Sequence, residues 1–145
     1  MKISVIMLTY NREELLTRAI DSILNQTFKD FEFIIVDNGS TDRSGAIADE
    51  YALKDSRIKI IHREQGNIGS GRNAGLDSAT GEYVAFIDDD DYAESDFLEF
   101  LYNLAKKHNA DIAVCGSTKE ENGQQLPNGI YQYDEKYIMD AEQAT

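Results

Sequence analysis

Short apolar runs alternate with helix-type patterns over most of this 145-residue chain. The runs are rich in Ile, Val, Leu and Phe, and predict five strands, at residues 2–8, 31–36, 58–61, 83–87 and 111–115. Strands that are apolar throughout are typical of a sheet buried on both faces. The alternation therefore predicts an α/β fold with a mostly parallel sheet flanked by helices.

Helix-start signals follow the first two strands. Asn11 is predicted to cap a helix, with Glu14 as its capping-box partner and an apolar stripe that continues to about Gln26. Either Ser40 or Thr41 is predicted to cap the next helix.

The later helices have weaker signals. The glycine-rich stretch Gly66–Gly75 is predicted to be a loop in which a short helix starts near Gly69. Further helices are expected from Phe97 and from about Tyr137.

Charge and composition exclude several classes of protein. A net charge of −13 argues against a nucleic-acid partner, which requires a basic face. No run approaches the roughly 18 apolar residues of a membrane span. The apolar start, Met1–Leu8, is too short for a secretion signal, and the single Cys115 is compatible with a reducing compartment. We therefore expect a cytoplasmic protein.

Polar residues follow directly after three of the predicted strands. In parallel sheets ligands bind at the carboxyl ends of strands, so these residues form a candidate site. They are Thr9, Tyr10 and Asn11, then Asp37 and Asn38 with Gly39, then Asp88, Asp89, Asp90 and Asp91. The stretch Gly66–Gly75, which comes after the third strand, is expected at the same edge.

The aspartate run, Asp88–Asp91, favours a metal site. Unit charges about 4 Å apart repel by roughly 1 kcal/mol even in water, so a cation between them is expected. Carboxylate oxygens suit Mg²⁺ or Mn²⁺, which are usually held by one or two carboxylates together with ligand phosphates. Taken alone, the run is equally compatible with a solvated loop that begins a helix. His62 and His108 are not near the run in sequence and are expected to be structural or exposed.

The glycine-rich stretch does not indicate a nicotinamide cofactor. Gly69, Gly71 and Ala74 fit a dinucleotide-binding pattern, but that pattern belongs in the turn after the first strand, where this chain has no glycine. Arg72 is predicted either to pair with the acids or to meet a diphosphate. Asp37 could accept from a ribose hydroxyl or a base N–H, or belong to a plain strand-to-helix turn.

Together these segments resemble the family 2 glycosyltransferases with the GT-A fold. The matching segments are residues 4–11, 34–42, 67–69, 72–75, 81–83 and 86–91, and the resemblance fades after Gly116. It implies a nucleotide-sugar-binding region over residues 1–116 and the start of an acceptor-side region over 117–145.

The resemblance also implies an activity. Such a protein transfers a sugar from a nucleoside-diphosphate sugar, with a UDP-sugar preferred, to an acceptor hydroxyl with inversion and with the help of Mn²⁺ or Mg²⁺. The acceptor would be a saccharide or a lipid-linked carrier, as in polysaccharide biosynthesis. Peripheral association of the full-length protein with the inner face of the membrane stays open.

Residue roles follow from the same resemblance. Residues 9–11 would line the nucleobase, Asp37 would accept from it, and Arg72 would lie beside the nucleotide. Asn38 stands where the family often has a second acid.

The aspartates resemble the DxD motif. Asp88 or Asp89 would lie near the ribose and Asp90 on the metal. Asp88 is an alternative metal ligand, and Asp91 would support the metal from outside its ligand sphere. The family's catalytic base lies well beyond this motif, and none of the later acids is in a recognised motif, so no base is assigned.

Two other hypotheses are weaker. A phosphorylatable receiver domain would need acids where Thr9–Asn11 stand and a lysine where Cys115–Gly116 stand. A sugar-nucleotide sensor without transfer activity is the third hypothesis, since the pattern at the end of the chain predicts a truncated protein that binds donor alone.

Overall fold

The computed structural model of this protein describes residues 1–126. They form two compact units, divided between Glu99 and Phe100. The functional boundary predicted after residue 116 stays a prediction. The helix predicted near Tyr137 lies outside the described residues.

The first unit is built on a four-stranded, fully parallel sheet. Its strands are β1 (Ile3–Thr9), β2 (Phe31–Asp37), β3 (Ile58–His62) and β4 (Tyr83–Asp88), in the spatial order β3-β2-β1-β4. All four had been predicted from their apolar runs. The chain builds outward from β1 to β3 and then returns to place β4 on the other side of β1.

Helices connect the strands. They are α1 (Leu16–Leu24), α2 (Ser44–Lys54), α3 (Ile68–Ser78) and α4 (Phe97–His108), the last of which continues into the second unit. The second unit also contains a short antiparallel hairpin of β5 (Glu120–Glu121) and β6 (Gln124–Gln125). Within the described residues, no helix is long and apolar enough to cross a membrane.

Helix α3 packs closely on one face of the sheet. Ile6, Ile34 and Val36 form the buried cluster there. A β-carbon at Gly75 would lie 2.5 Å from Ile6 Cγ2, and one at Gly71 would collide with Leu8. The two glycines therefore let the helix backbone approach β1. The predicted helix start near Gly69 is confirmed, since α3 begins at Ile68, and the helix extends beyond the predicted loop to Ser78.

The predicted helix caps are wrong. Helix α1 begins at Leu16, with no side-chain cap, and ends at Leu24 rather than near Gln26. Glu14 lies before the first residue of this helix, so it is not the capping-box partner that was predicted. Helix α2 begins at Ser44, beyond Ser40 and Thr41. The side chains of Asn11 and Ser40 bond between loops instead, as described below.

The predicted strand Asp111–Cys115 is also wrong. The segment joins no sheet, and Ile112 and Val114 are 79% and 65% exposed. A short apolar run does not by itself distinguish a strand from other apolar segments.

A buried carboxylate holds the amino-terminal ends of the strands together. Glu32 of β2 is 1% exposed, and its Oε1 accepts from Ser4 Oγ on β1 at 2.7 Å and from both the backbone and the hydroxyl of Thr80, each at 2.7 Å. Lys59 Nζ of β3 donates to Oε2 at 2.6 Å. Burial opposes ionisation, but the bonds from Lys59, Ser4 and Thr80 prevail and lower the pKa of Glu32 from 4.5 to about 2.

We expect Glu32→Gln to lower the free energy of unfolding by about 3 kcal/mol at pH 7, which is the pKa difference expressed as energy. Because the folded-state pKa is depressed, this contribution is complete above pH 4.5 and is lost as the pH falls towards 2. Urea unfolding of both proteins at pH 7, 4 and 3 measures it. The control, Glu14→Gln, removes an exposed carboxylate and should change little at any pH. A gap between wild type and Glu32→Gln that stays constant with pH would contradict the assignment.

Candidate functional site

A cleft of about 790 Å³ opens at the carboxyl edge of the sheet. This volume is within the range of small-molecule sites in proteins. Its walls come from the ends of β1, β2 and β4 and from the start of α3. The lining residues are Leu8, Tyr10, Arg12, Asn38, Gln65, Gly66, Asn67, Ile68, Gly69, Arg72, Asp88, Asp89 and Asp90.

Six of the ten site residues predicted from the sequence line this cleft. They are Tyr10, Asn38, Arg72, Asp88, Asp89 and Asp90. The other four, Thr9, Asn11, Asp37 and Asp91, lie beside it without lining it. The register explains two of these positions, because Thr9 pairs with Asp37 as the last residues of β1 and β2, and both are buried.

Asn11 joins the two loops beside the cleft. Its Oδ1 accepts from the backbone N–H of Thr41 at 2.8 Å and of Asp42 at 3.3 Å. Its own backbone N–H donates to Ser40 Oγ at 3.1 Å. Asn11 has φ of 52°, a left-handed conformation that asparagine tolerates better than most residues. The residue that had been predicted to cap α1 is therefore an anchor for the β2–α2 loop.

Three further bonds complete this inter-loop contact. Arg12 N–H donates to Ser44 Oγ at 2.8 Å, and Glu13 N–H donates to Asp42 Oδ2 at 3.1 Å. In the other direction, Arg43 N–H donates to Glu13 Oε2 at 2.9 Å. We call residues 11–13 and 40–44 together the loop clasp. The loop clasp fixes the backbone of residues 11–13, and Arg12 in this segment and Tyr10 beside it line the cleft.

Asn38 fixes a second wall of the cleft. Its Nδ2 donates to the Gly66 carbonyl at 2.7 Å, and its Oδ1 accepts from Gly66 N–H at 3.2 Å. A carboxylate could make only the second of these bonds, since it has no donor. Next to it, Gly39 has φ of 84°, and a β-carbon there would lie 2.6 Å from Gln65 N. The Asn-Gly pair thus seats residues 65–66 against the end of β2.

Asp89 is the most enclosed carboxylate of the cleft, with its side chain 13% exposed. Tyr10 N–H donates to its Oδ2 at 3.4 Å, and Arg12 Nε lies 3.8 Å from its Oδ1. Burial nevertheless raises the pKa of Asp89, outweighing the opposing effects of Thr9, Tyr10 and Arg12. The site holds this charge at a cost in free energy.

Arg72 of α3 pairs with the neighbouring acid. Its Nη2 donates to Asp88 Oδ1 at 2.8 Å, and its guanidinium carbon lies 5.7 Å from the centre of the Phe86 ring. The predicted pairing with the aspartate run is confirmed. Because both groups are about half exposed, the guanidinium can also reach an anion in the cleft.

The donor set at the end of β4 fits a hard divalent cation. Burial, and then the charges of Asp90, Asp88 and Asp89, raise the pKa of Asp91. The cluster is therefore short of positive charge. Among the described residues, no group of three or more His, Cys, Asp or Glu side chains is arranged to hold a metal. One or two carboxylates together with ligand phosphates suffice for Mg²⁺ or Mn²⁺. The residues present are therefore compatible with such a metal, which stays a prediction.

Sequence reasoning missed part of the lining. Arg12 lay inside a predicted helix, and Gln65 lay in a segment without a clear pattern. A signal for Arg12 was present, since it follows the β1 strand end by three residues and is a cation at a strongly acidic edge. Gln65 reaches the cleft through the bonds of Asn38 to Gly66, which no local pattern indicates.

Comparisons with known proteins agree on one family. The family model described as "Glycosyl transferase family 2" matches residues 4–142. A relative from Bacillus subtilis, described as "Uncharacterized glycosyltransferase EpsJ", is 42% identical over 120 residues, which is 83% of this chain and 35% of the relative. The chain thus spans about a third of that relative's length.

Solved structures give the same result. S. aureus TarS residues 1–349 in complex with UDP-GlcNAc has a TM-score of 0.77 and 35% identity, and the match covers 88% of this chain and 37% of that 1–349 chain. The mannosyltransferase PcManGT from Pyrobaculum calidifontis, in complex with GDP-Man and Mn²⁺, has a TM-score of 0.60 and 27% identity, covering 63% of this chain and 28% of that chain.

We expect Asn11→Ala to lower the free energy of unfolding by about 2 kcal/mol, because it removes the acceptor for two N–H groups and strains a left-handed residue. Asn11→Gly removes the same acceptor without the strain, so its loss should be about 1 kcal/mol. Urea unfolding measures both, and amide hydrogen exchange at Thr41 and Asp42 should accelerate in both. Equal losses for alanine and glycine would refute the strain, and unchanged exchange would refute the clasp.

Proposed function

This chain belongs to glycosyl transferase family 2, and we propose that its first unit binds the nucleoside diphosphate part of a sugar donor. The full-length protein would transfer the sugar to an acceptor hydroxyl. The observation that carries the proposal is the composition of one cleft, where the Tyr10 ring, the guanidinium groups of Arg12 and Arg72 and three aspartates are combined. Its position between β1 and β4, where the strand order reverses, is where open α/β sheets bind ligands.

The nucleoside would occupy the side of the cleft formed by Tyr10 and Asn38. An aromatic ring offers a flat apolar surface to a base, and the Asn38 side chain lies at the same wall. We propose uracil as the base, which is supported by the UDP-GlcNAc complex of TarS. Asp37 stays a predicted acceptor for the base, although Asn38, rather than Asp37, lines the cleft.

The diphosphate would lie towards Arg72 and the aspartates. A polyanion can approach this acidic edge only if cations offset the field, and Arg12 and Arg72 are the arginines of the lining. Asp90 would hold Mn²⁺ or Mg²⁺, with Asp88 as a second ligand and Asp91 behind them. A bound metal would act as a Lewis acid that stabilises charge developing on the departing diphosphate. The Mn²⁺ complex of PcManGT supports this choice of metal.

Transfer with inversion would require an acceptor hydroxyl to attack the sugar from the face opposite the diphosphate, with a carboxylate to take its proton. The carboxylates Asp88–Asp90 are on the diphosphate side in this arrangement, so none of them suits that role. We assign the base to the acceptor side of the full-length protein, together with recognition of a saccharide or lipid-linked acceptor.

We predict that UDP binds the chain at least tenfold more weakly when Mn²⁺ and Mg²⁺ are removed with a chelator, and that Asp90→Asn abolishes this metal dependence. The metal bridge contributes only when its carboxylate ligand is present. Isothermal titration with UDP, with and without Mn²⁺, measures both effects.

The matched control for Asp90→Asn is Asp77→Asn, which removes an exposed acid of α3 that is not part of the cleft lining. It should retain the full metal dependence. Metal-independent UDP binding by the wild type would refute the metal role, and an unaltered dependence in Asp90→Asn would move the metal to another acid.

Arg72→Gln should weaken UDP binding by about tenfold while leaving the affinity for uridine nearly unchanged. The reason is that a charge-assisted bond to a phosphate is lost and the contacts of the nucleoside are not. Competition titrations with UDP and uridine separate the two. Equal losses for both ligands would show that Arg72 supports the cleft rather than the diphosphate.

A further inference from the structure

His62 is placed between two carboxylates at the end of β3. Its Nδ1 lies 3.1 Å from Asp37 Oδ2 on β2, and its Nε2 lies 2.9 Å from Asp49 Oδ1 on α2. A neutral imidazole has one N–H, so one of these contacts would place a lone pair against a carboxylate oxygen. Both contacts are hydrogen bonds only when the ring is an imidazolium. The geometry therefore selects the charged form of His62.

Helix α2 lies against one side of this pair, while the His62 side chain is 49% exposed on the other. A β-carbon at Gly45 would lie 2.7 Å from Asp37 Oδ2 and 3.4 Å from His62 Cε1, so the helix backbone rests directly against the pair. Asp37 is 6% exposed. The contact of Asp37 with His62 is thus enclosed by the helix, while that of Asp49 lies nearer to solvent.

From Asp37 the contacts lead to the cleft. The other carboxylate oxygen, Oδ1, accepts from Ser40 N–H at 3.0 Å. Ser40 Oγ in turn accepts from Asn11 N–H, inside the loop clasp. Asn11 is flanked by Tyr10 and Arg12, both of which line the cleft. Two hydrogen bonds therefore connect the Asp37 carboxylate to the segment that carries two lining residues.

We infer that His62 is a positioning residue of the donor site: its imidazolium, held between Asp37 and Asp49, fixes the carboxylate that anchors the loop clasp. The inference rests on the proposed function, since it concerns the same cleft. His62 is exposed, as the sequence analysis allowed, and the inference adds a role to it.

The expected consequence is a pH-dependent affinity. The bonds to Asp49 and Asp37 raise the pKa of His62 against the opposing effect of burial. With a raised folded-state pKa, the contribution is complete at low pH and is lost as the pH rises through that value. Losing one of the two bonds should weaken nucleotide binding by about two- to tenfold. The charged groups facing the ring are Asp37 from β2 and Asp49 from α2.

The test uses UDP with Mn²⁺, titrated into the 145-residue chain between pH 6 and pH 8.5. Between pH 6 and pH 8.5, the affinity of the wild type for UDP should fall by about two- to tenfold more than the affinity of His62→Gln does. At pH 6, His62→Gln should bind UDP more weakly than the wild type. All variants are measured with the same UDP and Mn²⁺ at each pH, so any effect of pH on the ligand or the metal is the same for every variant and cancels in the comparison. The matched control is His108→Gln, which removes the chain's other histidine and should follow the wild-type profile.

A second variant isolates the charge from the fold. Asp49→Asn keeps an acceptor for Nε2–H but removes a negative charge, so the pKa of His62 should fall and the midpoint of the affinity profile should move to lower pH. Proton NMR of the ring C–H signals follows the two histidines directly, with His108→Gln making the assignment.

The outcomes are distinct. If the wild type binds no UDP at any pH, the proposed function fails and the inference falls with it. If the wild type binds but His62→Gln has the same affinity and the same profile, the inference alone is overturned. Should His62→Gln not fold, Asp49→Asn decides: a shift of the NMR midpoint without a shift of the affinity profile overturns the inference, and a joint shift supports it.

Discussion

The register of β1 between β2 and β4 is the constraint on which the site depends. Parallel pairing sets Thr9 opposite Asp37 and Leu8 opposite Asp88. These pairs bring residues more than 25 positions apart in the chain to one edge of the sheet. A slip of one residue would turn each strand's side chains to the opposite face. The buried pair of Ser4 on β1 and Glu32 on β2 opposes this, because the two residues stand opposite each other and their side chains are joined by a 2.7 Å hydrogen bond.

Glu32 at one end of the sheet and the aspartates that follow β4 at the other end have pKa shifts in opposite directions. At the amino-terminal edge, Glu32 is buried but has several donors, so its pKa falls and its charge stabilises the fold. At the carboxyl edge, Asp89 and Asp91 have too few donors to offset burial and mutual repulsion, so their pKa values rise. Perturbation of this second kind is typical of functional sites. Glu32 thus stabilises the fold at the amino-terminal edge, while Asp89 and Asp91 at the carboxyl edge carry negative charge that a cation would stabilise.

How much of this was predictable depends on the range of each interaction. The four strands and the aspartate run were found because apolar runs and strand-end acids are local features. The caps were not, because Asn11 and Ser40 have the composition of capping residues but bond to each other's loops about 30 positions away. The strand predicted at Asp111–Cys115 failed for the opposite reason, since a local apolar pattern exists there but this segment joins no sheet within residues 1–126. Arg12 and Gln65 reach the cleft through loop contacts that no periodicity encodes.

The distribution of internal bonds also indicates which part of the site responds to a ligand. The loop clasp and the Asn38 contacts to Gly66 are made by the chain's own residues, so the wall of the cleft near Tyr10 and Asn38 is preorganised and would lose little conformational entropy on binding. The aspartates are different, because partial burial and mutual repulsion destabilise their charged forms. Added positive charge would reduce this repulsion. Arg12 and Arg72 supply part of it, but each is already close to an aspartate. If Asp90 and Asp88 held a divalent cation, the guanidinium group of Arg72 would be available to the phosphates of the donor. Donor and metal would then each favour binding of the other, because the same repulsion opposes both when either is absent.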